Sequence, residues 1–400
     1  MSGVPLTNIR PRERALAAFA AIAFGFVIAG ANSINPLLPM LRVEVPLSPL
    51  GVSLTFVVYV SAAVATLLVV GFSRLRVTPG SAVVAALLIA ALANLLLASS
   101  NEVQLLVGRA ATGVAVGLAT GGAAGLVVDA LKGRGRGLAA TGNLVGAVVG
   151  TAIAQGVAAL ETVAGAMSMY VAGAAIALLL ALALVLLLPR SVPRAARKRG
   201  VGAPTSRRLT RADVRTIARA AVVWTGLSAG VVYAPTVFSD AAMPLAQFGG
   251  SVTMLVAAAV AQLASVPLGR LLPAASGHLA FAVGCALAVT SVLLSNNPLA
   301  LLAMALLGAG GAVAYRTSLV HLTRGAAASQ QSSLASKFAV ATYAASASTV
   351  LAIGVLGSVV RTEVVLAVFA TLLSLAALCM HLGAPRFRDL AEGPTGNGAL

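Results

Sequence analysis

Long apolar runs alternate with short turns along the whole chain, and each run is about as long as a membrane crossing. A helix needs about 20 mainly apolar residues to span a bilayer. Ala15 to Leu41 passes 27 positions without a charge, and Arg270 and Arg316 enclose 45 positions free of Asp, Glu, Lys and Arg. The second run is too long for one crossing. Asn296, Asn297 and Pro298 divide it, because Asn-Pro favours a turn. The pattern predicts an all-α integral membrane protein with twelve spans, at 15–40, 50–72, 79–99, 103–128, 137–160, 165–188, 216–238, 249–272, 277–295, 298–321, 335–359 and 363–383.

Polar positions are spread unevenly over these spans. Spans three, six and nine carry no charge, span twelve carries only Glu363 at its first position, and these four are expected to face lipid on most sides. The others hold Asn32, Ser33 and Asn35; Tyr59 and Thr66; Arg109 and Thr112; Asn143 and Gln155; Trp224, Ser228 and Tyr233; Gln262; Tyr315 and Arg316; Lys337, Thr342 and Tyr343. Polar groups in membranes face the bundle interior or a water-filled cavity. Eight inner helices around a central cavity are therefore expected.

Composition agrees. The 400 residues are 59% hydrophobic and 9% charged, against about 25% charged in soluble domains, which excludes an ordinary soluble enzyme. The net charge of +17 would suggest nucleic acid in a soluble protein. Here the basic residues collect in alternate loops, as they do on the cytoplasmic side of membrane proteins. With the N-terminus inside, inner segments hold Arg10, Arg12 and Arg14, Arg74 and Arg76, Lys132, Arg134 and Arg136, Arg270, Arg324, Arg386 and Arg388; outer loops hold only Arg42 and Arg361. Both termini are expected in the cytoplasm and the protein in the cytoplasmic membrane. The first run is expected to stay as a span rather than be cleaved as a signal peptide. Cys285 and Cys379 lie in apolar runs and imply no disulfide framework.

One composition break stands in the middle. Arg190 to Arg219 holds ten basic residues and one acid, with Pro193, Gly200, Gly202 and Pro204. Thr210 to Asp213 has the spacing of a capping box, and Arg207, Arg211, Arg215 and Arg219 follow at intervals of four. The linker is expected to be a solvated basic segment or a surface helix on anionic lipid. The organisation is then a cytoplasmic N-terminus (1–14), a six-helix bundle (15–189), the linker (190–215), a second six-helix bundle (216–384) and a tail (385–400). Two such halves should repeat. Ser99–Leu106 and Ser295–Leu302 match weakly at an offset of 196, which sets Arg109 opposite Ala305.

Two glycine ladders flank the basic turn after span four: Gly113, Gly117, Gly121 and Gly125, then Gly142, Gly146 and Gly150. Apolar burial does not drive helix association in lipid, whereas small residues let backbones approach. Each ladder is expected to form one smooth stripe, and the two helices to pack closely together. Arg109 opens the first ladder. It either snorkels to the outer interface or serves as a functional cation. Asp129 is expected to pair with Lys132 or Arg136.

These features resemble the major facilitator superfamily of secondary transporters over about residues 10 to 390. Asn32-Ser-Ile-Asn-Pro-Leu-Leu-Pro39 is similar to the family's ending of the first helix. Leu105-Leu-Val-Gly-Arg109-Ala-Ala-Thr-Gly113 looks like its fourth-helix arginine–glycine motif, and Asp129 to Gly142 like its four–five turn. Two departures stand out. The two–three loop, Gly71-Phe-Ser-Arg74-Leu-Arg76, lacks the family's aspartate, and Thr151 follows Gly150 where antiporter members carry proline.

The resemblance implies alternating access by two halves. The expected cargo is a small uncharged or anionic organic solute, since all ten acids lie at span ends or in loops. Candidate solute contacts are Asn32, Asn35, Arg109, Trp224, Tyr233, Gln262, Tyr315 and Tyr343. Candidate gating or packing residues are Gly113, Gly117, Asp129, Arg136, Gly142, Gly146 and Gly150. Proton-coupled efflux of hydrophobic compounds, or a non-transporting membrane sensor, are the alternatives. No metal or cofactor motif occurs, no nucleic-acid partner is expected, and a monomer in the bilayer is anticipated.

Overall fold

The computed structural model describes residues 11–45, 47–72, 78–130, 136–160, 162–188, 209–264, 271, 275–324 and 328–382. Its long helices are α1 (Pro11–Asn32), α2 (Ile34–Glu44), α3 (Pro49–Phe72), α4 (Pro79–Leu97), α5 (Glu102–Ala130), α6 (Arg136–Ala158) and α7 (Val163–Leu187). They continue with α8 (Arg211–Asp240), α9 (Pro244–Leu263), α10 (Gly277–Leu293), α11 (Asn297–Thr323), α12 (Ala328–Gly357) and α13 (Thr362–His381). Among the described residues, ten helical segments are long and apolar enough to cross a membrane, and two shorter apolar ones, Val145–Ala158 and Gly277–Leu293, stand where spans five and nine are predicted. The protein is a multi-pass helical membrane protein of two six-span halves.

Local chemistry sets the helix starts. Thr210 Oγ1 accepts from the Asp213 N–H at 3.2 Å while Asp213 Oδ2 accepts from the Thr210 N–H at 2.8 Å, the reciprocal box that the spacing predicts. Thr78 caps α4 ahead of Pro79, where a missing N–H costs nothing. Span one is two pieces. Pro36 has no N–H to offer the Asn32 carbonyl, and the helix breaks directly after Asn32, at Ser33.

The chain forms two compact units, Met1–Arg190 and Ser191–Leu400. In the first, α5 packs on α4, α3 and α1, while α1 packs on α6 and α4 on α7. In the second, α11 packs on α9, α10 and α8, while α8 packs on α12 and α10 on α13. Helix for helix, the plan is the same. The first core is rich in alanine, including Ala20, Ala23, Ala86, Ala115, Ala119 and Ala123, as close approach in lipid requires.

The repeat runs at an offset of 195, one less than the sequence match suggests. Asn101 Oδ1 accepts from the Gln104 N–H at 3.1 Å and Asn296 Oδ1 from the Leu299 N–H at 2.9 Å, so the two asparagines cap α5 and α11 alike. Pro49 and Pro244 start α3 and α9. Gly113 lies against the Tyr59 carbonyl, and Gly308 against the Met254 carbonyl. All four pairs are 195 apart. The serine match misleads because serines outside a cap are unconstrained, whereas cap geometry is fixed. Arg109 is thereby set opposite Met304 rather than Ala305.

Spans three, six, nine and twelve are not equally lipid-facing. In α4, Gly80, Val83, Ala86, Leu87, Ala90 and Asn94 are among the buried residues, whereas α13 buries only Leu373 and Ala377. Absence of charge does not separate burial against protein from burial against lipid, because both select the same side chains.

Candidate functional site

In the first unit the polar candidates gather at the break in span one. Three carbonyls near the end of α1 each receive a side-chain donor. Asn32 Nδ2 donates to Ile28 O at 2.9 Å, Ser33 Oγ to Gly30 O at 2.9 Å, and an Arg109 terminal nitrogen to Ala31 O at 2.9 Å. The last four carbonyls of a helix lack partners within it, and for two of them, Gly30 and Ala31, Ser33 and Arg109 supply a donor. Arg109 Nε also donates to Thr55 O on α3 at 2.9 Å, and its guanidinium lies 4.5 Å from the centre of the Tyr59 ring. Arg109 is 1% exposed. It reaches inward to tie α1 and α3 to α5, and it does not snorkel to an interface. Asn35 is buried four residues beyond the carbonyl that Arg109 holds, and its Oδ1 has no hydrogen-bond partner. Tyr170 on α7 is buried in the same region, next to Ser33.

The glycines around this site pack on different neighbours. A Cβ on Gly113 or Gly117 would meet Tyr59, Ala62, Ala63 or Thr66 of α3, whereas nothing lies within 4 Å of Gly121. Gly146 and Gly150 lie against the backbone of Gly25 and Ala29 on α1. Two expectations are corrected here. At 100° per residue, steps of four drift by about 40°, so the first ladder turns away from α3 after Gly117. The two ladders also pack on separate partners, and α5 and α6 share only a minor contact. For Asp129, Arg136 and Gly142 the structure describes the helical backbone alone, so the expected side-chain pairing lies outside the described residues.

In the second unit three candidates converge. The rings of Trp224 on α8 and Tyr315 on α11 have centroids 4.7 Å apart, and Trp224 meets Tyr343 on α12 edge-on at 5.3 Å. Phe338 of α12, which hydropathy alone does not single out, completes the cluster at 4.8 Å from Tyr315. Such offset and edge-to-face pairs suit the ring quadrupoles. Tyr315 lies about 12 Å from the Thr323 end of α11, at 1.5 Å per residue. The Trp224 indole N–H is buried and unpaired, and a buried donor without a partner is uncommon. Beside this cluster an Arg316 terminal nitrogen donates to Gln262 O at 2.5 Å, joining α11 to α9.

Tyr233 stands apart from the cluster. Its hydroxyl donates to Val350 O at 3.2 Å, and its ring forms part of the wall of a separate apolar cavity of about 280 Å³ within the second unit. The aromatic cluster could have been sought in the sequence. Only 4% of residues are Phe, Trp or Tyr, so two within six residues, Phe338 and Tyr343, is a local excess.

Paired six-span halves, each with buried polar or aromatic groups in its interior, define a membrane transporter fold. The family model of the Major Facilitator Superfamily matches residues 20–333, and the chain belongs to that superfamily. No curated protein gives a significant match. Among solved structures, a bacterial homologue of the human lysosomal transporter Spinster aligns with a TM-score of 0.70 at 13% identity, over 96% of this chain and 98% of that one. A D-xylose–proton symporter aligns with a TM-score of 0.69 at 16% identity, over 94% and 98% of the two chains. The nucleoside transporter NupG aligns with a TM-score of 0.66 at 11% identity, over 93% and 99%. At these identities the likeness is one of fold.

Proposed function

We propose that this protein is an alternating-access secondary transporter of the cytoplasmic membrane, and that its cargo is a small uncharged or anionic organic solute with a ring or other flat apolar face. The carrying observation is the cluster of Trp224, Tyr315 and Tyr343 around a buried indole N–H that has no partner. Aromatic faces bind flat apolar surface, and the free donor suits a carbonyl, hydroxyl or carboxylate oxygen on the solute. Arg316 next to Tyr315 favours neutral or negative cargo. In the first unit, the unpaired Asn35 oxygen supports a polar solute over a purely apolar one. The basic loops support a cytoplasmic position for both termini. Exposed Arg211 and Arg215 at the start of α8 support contact of the basic linker with anionic headgroups.

Trp224 is the chain's single tryptophan, so its emission reports on this cluster alone. Purified protein is titrated with a library of neutral and anionic metabolites while tryptophan emission is followed, and hits are tested for counterflow in proteoliposomes. Saturable emission changes that track counterflow are expected. Solutes that exchange across the membrane while leaving Trp224 emission unchanged would overturn the assignment of the cluster. Binding without flux for every hit would favour a sensor.

A further inference from the structure

We propose that the apolar cavity between α8, α10, α11 and α13 is a binding slot for one acyl chain of a membrane lipid, with the lipid headgroup at the turn that carries Arg361 and Glu363.

The cavity measures about 280 Å³ and its walls include Ala229, Val237, Val289, Leu307 and Ala370. It is elongated along the helices. On α13 its lining runs from Glu363 to Leu373, about 15 Å at 1.5 Å per residue. That shape fits an extended chain better than a compact solute. The remaining lining groups give little foothold to a polar ligand: the Tyr233 hydroxyl is spent on Val350 O, and Cys285 is a buried free thiol.

Glu363 is the single charged residue among those lining the slot, and it stands at the end where α13 begins. Its Oε2 lies 3.3 Å from Nε of Arg361, whose side chain is 82% exposed. The slot is thus apolar along its length and charged at one end, which is the polarity of a lipid. Its outer wall is the helix that faces the bilayer. Val364, Val368, Leu372, Leu375 and Leu378 of α13 are exposed. An unfilled void forfeits the dispersion contacts of its walls, and water gains nothing where polar partners are lacking. Hydrocarbon from the adjoining leaflet is the filler at hand.

The test uses the full-length protein in nanodiscs containing phosphatidylglycerol with a mid-chain diazirine. After photolysis, adducts are mapped by peptide mass spectrometry. Adducts are expected on the α10 and α13 segments that contain Val289 and Ala370, and Ala288→Phe should lower them at least five-fold while adducts on exposed Leu372 and Leu375 persist. Equal labelling of slot and exposed face, or labelling indifferent to Ala288→Phe, overturns the proposal. A second measurement needs no cavity-filling variant. In Cys379→Ser protein, the rate at which a small thiol reagent modifies Cys285 should fall several-fold when phosphatidylglycerol is added to detergent-purified protein. An unchanged rate overturns the proposal.

Discussion

Arg109 and Met304 occupy matching positions in the two halves and close the same seam by different chemistry. Arg109 Nε donates to the Thr55 carbonyl at 2.9 Å. Thr55 corresponds to Gly250, and a Cβ built there would sit 3.6 Å from Met304 Cγ. At this point one seam is joined by a buried cation on carbonyls and the other by apolar contact, and the cation of the second seam, Arg316, meets the Gln262 carbonyl farther along the same two helices. The repeat therefore preserves the packing of α5 on α3 and of α11 on α9, and changes the chemistry at this matching position.

Arg109→Met places in the first half what the second half uses. It keeps much of the volume and removes the donors that Arg109 gives the Ala31 and Thr55 carbonyls. Hydrogen bonds to charged groups contribute about 2 kcal/mol each, so a clear fall in thermal midpoint is expected in detergent. Arg109→Lys should recover only part of it, because an ammonium cannot reproduce the planar fork that serves two carbonyls. An unchanged midpoint for Arg109→Met would show that these bonds stabilise nothing.

The glycines separate into sensitive and tolerant positions. Gly150→Ala would drive a methyl into the Ala29 backbone, whereas Gly121→Ala has open space. Overpacking of this kind costs about 1–3 kcal/mol. The first variant should lose monodisperse protein on size-exclusion chromatography and the second should match wild type. Equal behaviour of the two would contradict the packing of α6 on α1.

Trp224→Phe removes the unpaired indole N–H and keeps an aromatic ring. Stability should hold or rise slightly, since removing an unsatisfied buried donor relieves a desolvation penalty. Solute affinity measured by calorimetry should fall about ten-fold, the equivalent of about 1.4 kcal/mol. Undiminished affinity would remove the indole from the recognition scheme.

Asn101→Ala and Asn296→Ala should each cost about 1 kcal/mol, as lost helix caps do. The two sites lie in separate units, and their effects should add within a few tenths of a kcal/mol. Differential scanning fluorimetry of the singles and the double checks both points.

The spans, the break before Pro298, the capping box at Thr210 and the two halves were all readable from the chain, because lipid imposes length and polarity so strongly. Neighbours were not. Which helix a glycine touches depends on the angular drift of the helix, and so Gly117 and Gly121 part company although their spacing is regular. Whether Arg109 snorkels or turns inward was left open by the chain, and its partners could not be read, since backbone carbonyls leave no mark in a sequence. Trp224, Tyr315 and Tyr343 were each suspected singly for being polar-tipped aromatics. Their meeting is a fact of how α8, α11 and α12 pack.

The interruption at Ser33 makes the first span a rod in two lengths. The lower length is pinned by Arg109 through Ala31. The upper length begins with Ile34, Asn35 and Pro36, and Pro36 has no N–H to lose from the ladder. Tilting α2 against α1 would therefore cost the backbone no bond between Asn32 and Pro36. One rung is thus missing from the ladder next to the carbonyl that Arg109 holds, and a bend in the first span costs least there.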